Sequence, residues 1–297
     1  MPDPRFDGSG VALVTPFDEA GVAEPVLREL VRFHIAERTD ALIICGSTGE
    51  GAAMTPEEQR HAIEIAVAEN AGRLPIIAGC GGSDTRAVAG LAAQAHAAGA
   101  DGLLVSAPPY SKPPQRALVS HFHAVIEAGD LPTIVYNVPS RTAVNLLPAT
   151  IMQIAEDPRV IGVKEACGDI AQVAEMARLA QGRLAIWSGN DDQVVPLMSL
   201  GGRGVISVLA NVAPAATSRM AHAFLDGNMA LACTLQLDLL PLIGALFAES
   251  NPIPVKAGVA WLGFDVGPPR PPLTRVDPSV CDRLVHALQA AGIERRA

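Results

Sequence analysis

Short apolar segments rich in β-branched residues recur along most of the chain, each followed by a turn and by a stretch with helical spacing. Eight of them predict strands, at residues 11–15, 41–45, 75–79, 102–106, 132–137, 160–165, 184–189 and 204–209. Their apolar runs are continuous, which is typical of parallel strands covered on both faces. Apolar residues three and four apart, as at Leu27, Leu30 and Val31, predict helices between the strands.

Several helix ends carry recognisable signals. Thr55, followed by Pro56 and then by Glu58 three residues after the threonine, predicts a capped helix start. Asp169 and Asp191 are predicted to be the N-cap residues of the helices after the sixth and seventh strands. The glycines predicted to end helices are Gly72, Gly99 and Gly129.

The regular alternation of strand and helix predicts a parallel sheet. Eight repeats favour a closed α/β fold, the (β/α)8 TIM barrel, over an open doubly wound sheet, which stays as the alternative. We assign residues 1–224 to the barrel, with the active site, and residues 225–297 to a C-terminal helical domain. That domain is predicted to contain helices at 229–248, 255–262 and 278–290, and a proline-rich stretch at 267–274 is interpreted as a stiff spacer.

Composition narrows the class of protein. The chain has 297 residues, a net charge of −9 and no basic block, which argues against a nucleic-acid partner. No uninterrupted apolar run reaches the ~20 residues that cross a bilayer. The first residues lack the features of a secretory signal, so we expect a soluble, cytoplasmic protein with no membrane partner. Five scattered cysteines fit reduced thiols better than disulfides.

The chemistry of a barrel lies at the carboxyl ends of its strands. Lys164 interrupts the sixth predicted strand, where burial without a partner would lower the pKa of its amine. A neutral amine is a nucleophile that condenses with a carbonyl compound to give a Schiff base. The alternative is a lysine that points outward and pairs with an acid such as Glu165.

Other polar residues fall at the same end of the predicted barrel. Tyr136 lies at the end of the fifth predicted strand and is the candidate to move protons, with Tyr110 and Ser47 extending a relay. Taken singly, each tyrosine also fits a packed ring. The GSTGEG turn at 46–51 suits a carboxylate or phosphate but lacks the lysine of a P-loop. The planar guanidinium of Arg141 is suited to binding a second carboxylate through two N–H groups. The alternative is that Arg141 forms a surface ion pair.

Other catalytic classes find no support in the sequence. There is no HExxH and no Cys/His ligand cluster, so no metal site is predicted. The sequence also contains neither GxSxG nor GxGxxG, so no motif supports a serine hydrolase or a dinucleotide-binding protein. The Asp191–Asp192 pair is interpreted as a helix start, and Gly201-Gly202-Arg203-Gly204 as a turn.

Seven segments together resemble one family: VALVTPF, GSTGEG, YNVPSRT, GVKEACGD, SGNDD, GVISVLAN and NPIPVK. They are similar to the pyruvate-dependent class I aldolases of the dihydrodipicolinate synthase and N-acetylneuraminate lyase family. The resemblance spans nearly the whole chain and implies a (β/α)8 barrel with C-terminal helices. It implies that Lys164 forms the Schiff base, that Tyr136 donates the proton, and that Ser47 and Tyr110 act as relay members.

The same resemblance implies the remaining parts of the site. Thr48, Gly189 and the backbone at Ile206 would hold the pyruvate region, and Arg141 would bind the carboxylate of aspartate semialdehyde. It implies no cofactor beyond the covalent Schiff base between Lys164 and pyruvate. In the family's synthases the tyrosine that matches Tyr110 reaches into a neighbouring subunit, so we expect a homo-oligomer, a tetramer built from dimers.

The finer assignment favours the synthase branch, which forms 4-hydroxy-tetrahydrodipicolinate in lysine and diaminopimelate biosynthesis. Arg141, NPIPVK and the loop at 110–113 resemble that branch, whereas Ser47 replaces its usual threonine and GSTGE is found in sugar-acid lyases. The alternatives are a pyruvate-releasing lyase acting on a sugar acid or 4-hydroxy-2-oxoglutarate, and a non-catalytic barrel that binds a keto acid. The positions aligned with the lysine-inhibition site, Pro56, Gln59, Ser83 and Ala87, predict weak or no inhibition by lysine.

Overall fold

The computed structural model describes residues 6–296. Its strands are β1 (Gly8–Ala12), β2 (Phe17–Asp18), β3 (Gly21–Val22), β4 (Ala41–Ile44), β5 (Ile76–Cys80), β6 (Gly102–Ser106), β7 (Thr133–Asn137), β8 (Val160–Glu165), β9 (Ala185–Ser188) and β10 (Gly204–Ser207). Its α-helices are α1 (Glu24–Ala36), α2 (Pro56–Asn70), α3 (Thr85–Ala97), α4 (Gln115–Gly129), α5 (Pro139–Thr142), α6 (Pro148–Ile154), α7 (Ile170–Ala180), α8 (Val194–Met198), α9 (Pro214–Leu225), α10 (Met229–Leu246), α11 (Ile253–Trp261) and α12 (Pro278–Ala290).

Eight parallel strands close into a barrel in the order β1-β10-β9-β8-β7-β6-β5-β4, and β2 pairs with β3 as a separate antiparallel hairpin. Closure occurs at β1, where Gly10 is in register with Ala41 of β4 on one side and with Ile206 of β10 on the other. The predicted (β/α)8 barrel is therefore confirmed, and the open doubly wound sheet is wrong. A C-terminal group of helices, α10 to α12, follows the barrel.

The core has two layers because successive side chains of a strand point to opposite faces. One apolar layer lies between the strands and the helices, and a smaller one fills the barrel interior. Phe6 and Trp187 stack at 5.0 Å between ring centres within this inner layer, and the Trp187 indole N–H donates to the Phe6 carbonyl at 3.0 Å. Gly162 leaves room for this indole, since a Cβ there would lie 2.3 Å from it.

Seven of the eight predicted barrel strands agree with the observed ones to within two residues at each end. The first differs, because β1 spans Gly8–Ala12 rather than 11–15. Its first residues are Gly8, Ser9 and Gly10, which carry no apolar side chain that pattern analysis could detect. Small residues are required there, since a Cβ on Gly10 would lie 2.6 Å from the Phe6 ring.

The predicted helix starts at Thr55 and Asp169 are confirmed. The Thr55 hydroxyl accepts from the N–H of Glu58 at 3.2 Å, and the Glu58 carboxylate accepts from the N–H of Thr55 at 2.9 Å, which forms a capping box. Asp169 caps α7 through the N–H of Ala171 at 2.9 Å.

Two helix-end predictions need correction. Asp191 is not an N-cap, because the N-cap position before the short 3-10 turn is Asn190 and the Asp191 carboxylate points toward the end of β10. Gly129 is the last residue of α4, and the left-handed residue that ends the helix is Asp130. A Cβ at Gly129 would lie 2.6 Å from Leu103, so this glycine serves close helix–strand packing.

Helix α10 is long and apolar enough, by length and composition alone, to cross a membrane, a test that buried helices of soluble proteins also pass. Polar Gln236 is buried against the barrel, where its side chain contacts the N–H of Val195 and the carbonyl of Asp191. Pro241 lies inside the helix. The division of the chain between residues 224 and 225 stays a prediction; α9 ends at Leu225.

The C-terminal helices are tied to the barrel by a buried ion pair. The Lys256 ammonium of α11 lies 2.8 Å from a carboxylate oxygen of Glu50, and both side chains are only 1% exposed. Lys256 also donates to the carbonyl of Pro268 at 3.1 Å, and the N–H of Arg270 donates to the second Glu50 oxygen at 2.7 Å. The proline-rich stretch interpreted as a spacer is therefore fixed to the loop that follows β4.

Replacing Lys256 with methionine should destabilise the protein by about 3–5 kcal/mol, because the Glu50 carboxylate would be left buried without its cation. The measurement is the free energy of unfolding from urea titration. Lys112→Met removes an exposed lysine and should change stability by no more than about 0.5 kcal/mol. Adding Glu50→Gln to Lys256→Met should recover part of the loss; strictly additive losses would show that the pair is not coupled.

Candidate active site

Lys164 and Tyr136 face each other inside the barrel at the carboxyl ends of β8 and β7, where they are in register. The Lys164 amine lies 4.4 Å from the centre of the Tyr136 ring, and the lysine is 4% exposed. Glu165 belongs to the opposite face of β8, where its carboxylate accepts from Asn137 and from the N–H of Cys167. The alternative of an outward Lys164 paired with Glu165 is therefore wrong.

Burial lowers the pKa of the Lys164 amine to about 7. The Asp191 carboxylate opposes this shift by favouring the ammonium, and the Arg141 guanidinium adds to it by repelling the ammonium. Among residues 6–296 the amine makes no salt bridge. A substantial fraction of the amine is therefore neutral, and thus nucleophilic, near pH 7.

Burial raises the pKa of the Tyr136 phenol to about 12. Smaller opposing effects come from the positive charge of Arg141 and from a hydrogen bond with Ser47. The phenol therefore keeps its proton at neutral pH and can donate it. Ser47 lies at the exposed end of this pair, on the wall of the open cavity.

Asp191 is a site residue that the sequence interpretation missed. Its buried carboxylate accepts from the Ser207 hydroxyl and from the N–H groups of Val208 and Leu209, at 2.5, 3.0 and 2.9 Å. Burial raises its pKa, while these hydrogen bonds and the nearby Lys164 lower it. The sequence feature that could have identified it is its position just after the seventh predicted strand, observed as β9, at the end of the barrel where catalytic residues lie.

The loop after β4 is folded tightly against the end of the barrel. A Cβ on Gly51 would lie 2.2 Å from the Cys45 carbonyl oxygen, so only glycine fits there. The Thr15 hydroxyl donates to the carbonyl of Gly49 at 2.6 Å. Thr48 is buried, and its hydroxyl oxygen accepts from the side-chain amide of Asn251 at 2.9 Å.

Arg141 is exposed at the cavity wall, on the short helix α5. One guanidinium N–H donates to the carbonyl of Asn251 at 3.0 Å. Within the described part of the chain it forms no salt bridge, so the alternative of a surface ion pair is not observed. The remaining N–H groups of its fork are available to an anion.

Gly189 and Ile206 lie close to the Lys164–Tyr136 pair. A Cβ on Gly189 would lie 2.6 Å from the Ala166 Cβ and 3.1 Å from the Lys164 Cε, so the glycine makes room for the lysine. Ile206 is fully buried in the inner apolar layer, together with Tyr136. Gly189 is therefore adjacent to Lys164, and Ile206 belongs to the same buried cluster as Tyr136.

A cavity of about 440 Å³ opens beside this centre, lined in part by Ser47, Tyr136, Arg141 and Asn251. Lys164 is not among the residues that line the cavity, but its amine lies 4.4 Å from the ring centre of Tyr136, which does line it. No group of three or more His, Cys, Asp and Glu residues in the described chain is arranged to hold a metal ion. The cavity therefore offers an arginine and hydroxyl groups to an anionic organic molecule.

Tyr110 is not brought into this site by its own chain. Its side chain is 92% exposed, although the preceding Pro109 lines the cavity. A relay requires hydrogen-bond contact, and Tyr110 makes no such contact with Ser47 or Tyr136 in the described structure. Within a single chain, the predicted relay is limited to Ser47 and Tyr136.

The C-terminal segment supplies a wall of the cavity that sequence analysis did not assign. Its residues there are Ser250, Asn251, Pro252, Arg270, Pro272 and Leu273. The available signal was a polar Asn251 and Lys256 within the otherwise apolar NPIPVK motif.

Comparison with known proteins identifies the family. A sequence profile of the Dihydrodipicolinate synthetase family matches residues 5–291. A 4-hydroxy-tetrahydrodipicolinate synthase of Thermoanaerobacter sp. strain X514 is 50% identical over 295 residues, covering 99% of both chains. The crystal structure of dihydrodipicolinate synthase from Aquifex aeolicus is similar with a TM-score of 0.95 at 38% identity, covering 98% of this chain and 100% of that one.

A structure described as the first monomeric dihydrodipicolinate synthase variant is also similar, with a TM-score of 0.94 at 37% identity, covering 97% of this chain and 98% of that one. These matches extend over the barrel and the C-terminal helices alike. They confirm the family that the sequence motifs predict. The chain belongs to the dihydrodipicolinate synthetase family.

Proposed function

We propose that this protein condenses pyruvate with aspartate semialdehyde to form 4-hydroxy-tetrahydrodipicolinate, a step of lysine and diaminopimelate biosynthesis. The observation that carries the proposal is the buried Lys164 amine, whose pKa is lowered to about 7 beside the protonated phenol of Tyr136. The full-length similarity to 4-hydroxy-tetrahydrodipicolinate synthases supports the choice of substrates.

The first half of the reaction uses Lys164 and Tyr136. The neutral amine attacks the keto carbon of pyruvate and forms a carbinolamine. Tyr136 donates its proton to the departing hydroxyl, which leaves as water and gives the protonated imine. The Tyr136 phenolate then takes up a proton from the methyl group, which produces the enamine and restores the phenol. Ser47 connects this phenol to the cavity, where protons are exchanged.

The second half uses the cavity. Arg141 binds the carboxylate of aspartate semialdehyde and holds its aldehyde near the enamine. The enamine carbon forms a bond to the aldehyde carbon, whose oxygen takes up the proton of the Tyr136 phenol. The substrate's own amine then adds to the imine carbon, closes the ring and releases Lys164 as a free amine.

Trapping with borohydride in the presence of pyruvate should attach one reduced pyruvate to Lys164. The chain has only three lysines, Lys112, Lys164 and Lys256, so peptide mass spectrometry assigns the position directly. Lys164→Ala should abolish labelling, whereas Lys112→Met should label like the parent protein. Labelling at another lysine, or its persistence in Lys164→Ala, would contradict the proposal.

Turnover assays separate the possible reactions of the same imine. We expect activity with pyruvate and aspartate semialdehyde. Greater activity in cleaving a sugar acid or 4-hydroxy-2-oxoglutarate would indicate the lyase, which the serine at position 47 favours. Labelling by pyruvate without turnover of any of these would indicate a keto-acid-binding barrel.

The rate of pyruvate labelling should rise as the pH increases through about 7, because the neutral form of Lys164 predominates above its lowered pKa. Asp191→Asn removes a charge that favours the ammonium, so the midpoint should shift to lower pH by roughly one unit. Asp192→Asn changes an exposed neighbour and should leave the midpoint in place. A midpoint that Asp191→Asn leaves unchanged would show that Asp191 does not influence the amine.

We also propose that the protein works as a homo-oligomer, a tetramer built from dimers. Tyr110 is exposed next to the cavity wall, where a second subunit could receive it. Leu237 and Leu240 of helix α10, and Phe247 immediately after it, are exposed large apolar residues, which a second subunit would cover. A cytoplasmic location is likewise proposed and is supported by five free cysteines.

Sedimentation velocity should therefore show a species larger than the monomer. In that assembly, Tyr110→Phe should reduce turnover while leaving the sedimentation coefficient unchanged, because it removes only a hydroxyl. A monomer with full activity would contradict the assembly, and full activity of Tyr110→Phe in an oligomer would remove Tyr110 from the relay.

A further inference from the structure

Asn251 contacts both residues assigned to substrate carboxylates. Its side-chain amide donates to the Thr48 hydroxyl oxygen at 2.9 Å, and its backbone carbonyl accepts from the Arg141 guanidinium at 3.0 Å. The residue is buried at the cavity wall, just before α11. Thus a C-terminal residue contacts two parts of the site that belong to the barrel.

The direction of the first hydrogen bond determines what Thr48 can do. A hydroxyl has one proton to donate and lone pairs that accept. Because the Thr48 oxygen accepts from Asn251, its proton remains available for another partner. Thr48 forms no further side-chain hydrogen bond in the described structure, and an ionised carboxylate only accepts, so a carboxylate is a suitable partner for that proton.

The other side-chain atom of Asn251 has no partner. Its Oδ1 is buried and accepts no hydrogen bond from the described residues. Buried polar atoms are normally paired, so a purely structural asparagine would be expected to use both ends of its amide. The hydrogen bond to Thr48 is therefore the contact that orients the Asn251 side chain.

We infer that Asn251 is a positioning residue that fixes the Thr48 hydroxyl as a donor toward the pyruvate carboxylate while its main chain anchors Arg141 for the second substrate. This inference rests on the proposed function. Asn251 does not itself touch the reacting atoms. Its side chain acts on the pyruvate site, and its backbone acts on the aldehyde site.

Two substitutions separate these effects. Asn251→Ala removes the donor to Thr48 but keeps the backbone carbonyl, so the KM for pyruvate should rise about 3- to 10-fold while that for aspartate semialdehyde changes little. Asn251→Asp has nearly the same shape, but its carboxylate would accept the Thr48 proton. The hydroxyl would then no longer donate to pyruvate, and the KM for pyruvate should rise about 10- to 100-fold.

A double-mutant cycle distinguishes this reversal from simple charge repulsion. In a Thr48→Val background there is no hydroxyl to reorient, so the additional effect of Asn251→Asp should shrink to that of the charge alone. An undiminished effect would overturn the inference. If Asn251→Asp does not fold, as judged by circular dichroism, the same cycle with Asn251→Ala tests the coupling.

The measurement is the dependence of the borohydride labelling rate on pyruvate concentration, with kcat measured separately at saturating pyruvate. We expect the half-saturating concentration to change more than kcat. Parent protein that is not labelled by pyruvate would refute the proposed function. Normal labelling of the parent with unchanged pyruvate dependence in Asn251→Asp would refute the role of Asn251 alone.

Discussion

The exclusion of water from one amine is the constraint on which the site depends. Lys164 occupies a strand position that faces the barrel interior, and burial there makes the ammonium unfavourable enough to lower its pKa to about 7. Gly189 leaves space for the side chain, Tyr136 covers it, and Asp191 limits the shift. A carboxylate in direct contact would hold the amine as a cation and remove its nucleophilicity.

A second buried lysine shows how surroundings determine the role of the same side chain. Lys256 is as inaccessible as Lys164, but it has a carboxylate of Glu50 at 2.8 Å and a carbonyl oxygen as hydrogen-bond partners. Burial lowers its pKa as well, but the hydrogen bond and charge of Glu50 act in the opposite direction. Lys256 therefore serves as a structural tie, whereas Lys164 is available for covalent chemistry.

The fold and the centre of the site could be predicted from local patterns. Continuous apolar runs marked seven barrel strands closely, and a lysine within one such run identified Lys164. The start of β1 was not predicted because its glycine and serine residues have no apolar side chains. The roles of Asp191 and Asn251 depend on contacts with distant segments, such as the 203 residues that separate Asn251 from Thr48. No spacing rule along the chain reports such contacts.

The C-terminal segment that forms one wall of the cavity comes after the whole barrel in the sequence. The last of the eight barrel strands ends at Ser207. The groups that support Thr48 and Arg141 nevertheless come from Asn251, and the residue whose N–H donates to Glu50 is Arg270. A closed barrel is therefore not yet a finished catalyst. A polypeptide that ends before Asn251 would therefore lack the contacts that support Thr48 and Arg141.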